Sequence, residues 1–84
     1  MTNKRKHVLE RMVRVEFNSF DTTCYNFIYT FRLLEQITRL MLERVKLLRI
    51  TKHITISEAR FMSYCVRTYY LYYYNKQLEM LKFS

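Results

Sequence analysis

Four residues between the middle and the last third of the chain carry the clearest chemistry: Arg49, Lys52, His53 and Thr55. Two fixed cations, an imidazole and a hydroxyl in seven residues suit phosphate oxygens, which accept hydrogen bonds and attract positive charge without regard to base identity. Arg11 and Arg14 form a second candidate pair, and Lys4, Arg5 and Lys6 a third cluster near the amino end. Nothing in these positions carries a base-reading motif, so the expected contact is with the backbone of DNA. Catalysis is not expected. His7 and His53 have no cysteine or carboxylate at an informative spacing, and Cys24 and Cys65 are isolated, with no CxxC. Neither a metal, nor another cofactor, nor a small-molecule substrate is implied. Both cysteines read as buried, reduced thiols. Glu58 follows Thr55 by three residues, which is the spacing of a helix capping box.

These side chains need helices to hold them. The sequence has 84 residues, no Gly and no Pro, which excludes glycine-rich phosphate loops and argues against hairpins and all-β folds. The widest element is expected from Cys24 to about Thr51, roughly 28 residues and on the order of 40 Å of helix. Phe27, Phe31, Leu34, Thr38, Met41, Val45 and Leu48 recur at alternating steps of three and four, so they share one face. Leu33, Ile37, Leu40 and Leu47 widen that face, and Arg32, Glu35, Arg39, Glu43 and Lys46 gather opposite, with Arg39 spaced to pair with Glu35 and Glu43. So broad an apolar sector in so short a chain calls for packing by the rest of the chain and by a second chain. Phe27, Phe31, Leu34, Met41, Val45 and Leu48 are the expected dimer interface.

Around the long helix the reading is all-α. Residues 1–6 are a basic arm, and residues 7–84 form one helical domain. A short first helix spans residues 7–17, with Val8, Leu9, Met12, Val13 and Phe17 on its apolar side. The polar connector from Asn18 to Thr23 follows, with Asp21, Thr22 or Thr23 able to cap the long helix. After the long helix, Ile54-Thr55-Ile56 is β-branched throughout and is expected to be extended. A third helix then presents Ala59, Met62, Cys65 and Val66, with Arg60 and Arg67 outside. Leu71, Tyr74, Leu78 and Leu81 form the seam of a carboxy-terminal helix, either separate or running on from the third. The Tyr-rich run from Tyr69 to Tyr74 reads as amphipathic contact surface, with base stacking as the alternative.

The net charge is +8, from fifteen basic and seven acidic residues. That balance favours nucleic acid, an anionic membrane or an acidic protein as partner. No run approaches a membrane span, the polar face of the long helix carries both signs, and no apolar core follows the basic amino end. The expected protein is soluble and intracellular, with no membrane partner.

The order short helix, long helix, β-branched connector, short helix and extra carboxy-terminal helix resembles the histone fold. The resemblance centres on Lys52-His53-Ile54-Thr55-Ile56-Ser57-Glu58, which is similar to the basic, Thr-containing second loop of archaeal histones and of CCAAT-binding-factor-type subunits. Tyr74, Leu78, Leu81 and Phe83 are similar to the extra helix of the CCAAT-factor type. The pattern covers about residues 7–83. Thr51 stands where the family often has an Arg that clamps an Asp in the third helix, and Glu58 stands near that Asp, with Lys52 a possible substitute partner. The first connector has no Lys or Arg. The resemblance implies a handshake homodimer or heterodimer with a second histone-fold-like chain, bound to DNA phosphates in the nucleus or on chromatin. The competing expectation is a helical structural subunit of a large organellar, ribosomal or viral assembly with no nucleic-acid role.

Overall fold

The computed structural model describes residues 1–18 and 27–82, apart from the side chains of residues 27–30 and 81. The capping role expected of Asp21, Thr22 or Thr23, the thiol of Cys24, the Phe27 side chain and Phe83 lie outside the described residues. The described chain is all-helical: α1 spans Asn3–Asn18, α2 Phe27–Ile50 and α3 Ile56–Lys82.

Helix α1 starts earlier than its apolar period requires. The Thr2 hydroxyl accepts the Arg5 N–H at 3.1 Å, and the Thr2 carbonyl accepts the Lys6 N–H at 3.1 Å. Thr2 is therefore an N-cap, and Lys4, Arg5 and Lys6 belong to the first turns of a 16-residue helix rather than to a loose arm.

The third helix and the carboxy-terminal helix are one uninterrupted element of 27 residues, about 40 Å long. With no Gly or Pro between Ser57 and Phe83, nothing stops the helix once it has started. Continuity also fixes its phase. Ala59, Met62, Cys65 and Val66 are buried, and the same face continues through Tyr69, Tyr70, Tyr73 and Gln77. The expected seam at Leu71, Tyr74 and Leu78 is turned outward by about one residue, and all three side chains are exposed.

Helix α3 is the element on which both others pack. α2 returns along it in the opposite sense, joined by a five-residue connector, with Phe31 against Tyr74 at 5.2 Å between ring centroids. α1 runs along α3 in the same sense: Arg5 reaches Glu58, and Asn18 Oδ1 accepts a hydrogen bond from the Tyr73 hydroxyl at 3.2 Å. Phe17 is fully buried and stacks on Tyr69 and Tyr73, with centroids 5.8 and 6.1 Å away. Leu9, Val13, Phe17, Leu34, Met41, Val45, Met62 and Val66 share one core. Thr38 sits half-buried in the α2 stripe because its hydroxyl donates to the Leu34 carbonyl at 2.8 Å.

This packing changes the reading of the α2 stripe. Leu34, Met41 and Val45, expected to face a second chain, are buried within one chain because α3 is long enough to cover them. Phe31 and Leu48 are half-buried. Leu40 and Leu47, on the flank of the sector, stay exposed.

Candidate nucleic-acid interface

The second connector is built by two opposed caps. At the end of α2, Lys52 takes φ 62°, the left-handed conformation. The Lys52 N–H then donates to the Arg49 carbonyl at 3.1 Å, and the His53 N–H to the Leu48 carbonyl at 2.9 Å. That pair of bonds is a Schellman cap, here with lysine where glycine is usual. The Thr51 hydroxyl lies 2.9 Å from the Leu47 carbonyl, to which it donates, and 2.7 Å from His53 Nδ1. Ile54 is buried and closes the turn on the core. At the start of α3, the Thr55 N–H donates to Glu58 Oε1 at 2.8 Å, and the Glu58 N–H donates to Thr55 Oγ1 at 3.1 Å. This is the capping box expected from the sequence. The expected extended segment is only this turn, and Ile56 already belongs to α3.

The cap brings Arg49, Lys52, His53 and Thr55 to one shallow hollow, together with Glu58. Thr55 is occupied as the N-cap. Glu58 is held by Arg5, whose Nε donates to Glu58 Oε2, so the partner of this carboxylate comes from α1 and not from Lys52. The Arg5 hydrogen bond first, and the Thr55 N–H second, hold the Glu58 carboxyl below its usual range.

The hollow opens into a larger groove of about 550 Å³ between α2 and α3. Its walls carry Lys46 and Arg49 from α2 and Arg60 and Arg67 from α3, with Ser63 and Tyr64 between the arginines. The lining contains no carboxylate, and none of the four cations enters an ion pair among the described residues. Tyr64 is 67% exposed. Further along the hairpin the neighbouring groove has mixed sign, with Glu35, Arg39 and Glu43 beside Lys46. The basic stretch therefore has limits: Glu58 at one end, Glu35 and Glu43 at the other. Arg39 makes no ion pair with Glu35 or Glu43 among the described residues.

The remaining candidate residues are dispersed. Arg11 lines a groove between α1 and α2 with Arg44 and Glu16. Arg14 pairs with Glu10 at 3.8 Å. Arg5 is committed to Glu58, and Lys6 borders a hollow with Asn3, His7, Glu10 and Phe61. Sequence reasoning missed Lys46, Arg60, Arg67 and Tyr64 as a site. Their signal was present: Arg60, Tyr64 and Arg67 are spaced to share one face of α3, and Lys46 and Arg49 one face of α2.

Cys65 is buried and free, and burial together with the nearby Glu10 charge pushes its thiol pKa up, which opposes nucleophilic chemistry. Tyr69 donates its hydroxyl to Glu10, and burial first and that hydrogen bond second push its pKa up to about 12. Among the described residues no group of three His, Cys, Asp or Glu is placed to hold a metal ion, and no helix is long and apolar enough to cross a membrane. No protein-family model, curated protein or solved structure matches this chain.

Proposed function

We propose that this chain is a small non-catalytic helical subunit that binds nucleic acid through backbone phosphates, using the groove between α2 and α3. One observation carries the reading: Lys46, Arg49, Arg60 and Arg67 converge on a groove whose lining holds no carboxylate. Four cations brought together without counter-charge repel one another, and a polyanion relieves that repulsion while releasing its own condensed counterions. Lys52 and His53 extend the surface past the end of the hairpin. The resemblance of residues 52–58 to the second loop of histone-fold subunits supports the same ligand class, and a nuclear or chromatin-bound setting belongs to this proposal.

The test is fluorescence anisotropy with short DNA across a salt series. Four phosphate contacts give a slope of log K against log salt of about −3.6 on a duplex and about −2.8 on a single strand. The Arg49→Glu, Arg60→Glu double variant should bind at least 100-fold more weakly at low salt while retaining its helical circular dichroism, because both side chains are exposed. Binding that is indifferent to salt or to this charge reversal overturns the proposal.

A second reading, as a structural subunit of a larger assembly, draws on a different face. Val8, Met12 and Val15 of α1 are exposed beside Arg44 of α2, and Leu40 and Leu47 flank Arg44 at helical spacing. An apolar surface of this kind suits another protein. The two readings use opposite sides of α2 and are compatible. On this reading a second chain packs on the exposed face and not on the covered stripe at Leu34, Met41 and Val45.

A further inference from the structure

We infer that the basic groove prefers an unpaired strand to a closed duplex, with Tyr64 as the stacking platform for one exposed base. The inference rests on the nucleic-acid reading above and adds to it which form of nucleic acid is held. Tyr64 is the aromatic ring of the groove, and it is 67% exposed although it stands on the helix at the centre of the fold. In the Tyr-rich segment, Tyr73 is buried, Tyr69 and Tyr70 are half-buried against the core, and the exposed Tyr72 and Tyr74 each already contact another ring, Tyr73 for the first and Phe31 and Tyr70 for the second. Tyr64 makes no ring contact among the described residues, so its face is open.

Its neighbours supply what a stacked base needs. Arg60 lies one turn before Tyr64 on the same face and Arg67 one turn after, about 6 and 5 Å away along the helix axis. A strand running along α3 would set a phosphate on each arginine and the intervening base on the ring. Arg49 and Lys46 stand across the groove for the next phosphates. A closed duplex keeps its base faces inside the stack and offers Tyr64 only sugar and phosphate edges. An unpaired strand offers the face itself, and a ring of any base can use it. Sequence preference is therefore expected to be weak.

The experiment compares oligothymidylate with a blunt duplex of the same phosphate count, titrated against the full chain at fixed salt. The unpaired strand should bind more tightly. Tyr64→Ala should weaken strand binding about tenfold, in line with the loss of one stacked base, and leave duplex binding within twofold. Tyr64→Phe keeps the ring and should restore strand binding. Because Tyr64 is exposed, neither change touches the core, and circular dichroism checks that. Equal affinity for strand and duplex, or a Tyr64→Ala loss that is the same on both, overturns the inference and leaves the phosphate-binding function standing. No binding to either probe overturns both.

Discussion

Helix α2 presents two opposite surfaces that treat charge differently. On the side of Lys46 and Arg49, the cations have no ion-pair partner among the described residues and meet Arg60 and Arg67 across a groove whose lining holds no carboxylate. On the side of Leu40, Arg44 and Leu47, Arg44 Nη1 is 3.4 Å from Glu16 Oε1, and beside this pair and Arg11 the surface exposes Val8, Met12, Val15, Leu40 and Leu47, the last 60% exposed. One helix thus separates excess charge from excess hydrophobicity. Uncompensated cations are stable only in water or against a polyanion, whereas exposed Leu and Val favour removal from water. The separation leaves the basic groove and the exposed apolar face with no shared residue.

The largest effect is expected from removing what keeps α1 in place. Phe17 fills the space between α1 and the rings of Tyr69 and Tyr73. Phe17→Ala should cost about 3–5 kcal/mol, a large fraction of the stability of a domain this size. Urea denaturation should show the loss in midpoint, and an unchanged midpoint would mean that α1 does not contribute to the core. Next in size is the apolar surface. Leu40→Glu with Leu47→Glu should reduce self-association, read by sedimentation at increasing protein concentration, while nucleic-acid affinity stays within about twofold of wild type at high salt. If the same pair abolishes nucleic-acid binding at high salt as well, the two surfaces are not independent.

Much of this was legible in the sequence, and the failures have a common cause. The α2 stripe, the buried face from Ala59 to Val66 and the Thr55–Glu58 capping box are local patterns, and they fold as local rules dictate. What could not be read was which partner covers the α2 stripe. That depends on whether α3 stops or continues near Thr68, and Thr68 sits inside the helix with its hydroxyl donating to the Tyr64 carbonyl at 2.9 Å. A continuous α3 supplies from within the chain the cover that a dimer partner would supply, and it rotates Leu71, Tyr74 and Leu78 outward. The candidate site shows the same limit. Arg49, Lys52 and His53 are close in sequence and were found, whereas their union with Arg60 and Arg67 requires the hairpin. Arg5 reads as a phosphate contact in the sequence because its partner, Glu58, is far away along the chain.

Acid and base should act first on α1, since the Arg5–Glu58 and Tyr69–Glu10 contacts both tie it to α3. Glu58 has a lowered pKa in the fold, so its contribution is complete above the ordinary Glu value and is lost as pH falls through the lowered one. Tyr69 has a raised pKa, so its contribution is complete below the ordinary value of 10.0 and is lost as pH rises through about 12. Hydrogen exchange should therefore accelerate in α1 before the α2–α3 hairpin at both extremes. Glu58→Gln should blunt the acid limb and Tyr69→Phe the alkaline limb. Simultaneous opening of all three helices would show that α1 and the hairpin are one cooperative unit.

The smallest effect sets stability against binding at a single residue. Lys52 occupies the left-handed position of the α2 cap at φ 62°, where any side chain with a Cβ costs about 1 kcal/mol relative to glycine. Its N–H and that of His53 make the two cap bonds through the backbone, so glycine preserves both. Lys52→Gly should therefore raise stability by about 1 kcal/mol in urea denaturation. The same change removes a cation from the hollow next to Arg49 and should make the salt slope of nucleic-acid binding shallower by about 1. A gain in stability coupled to a loss in binding means that lysine is kept at this strained position for its charge. A gain in stability with an unchanged salt slope would limit the phosphate surface to the groove itself, between Lys46, Arg49, Arg60 and Arg67.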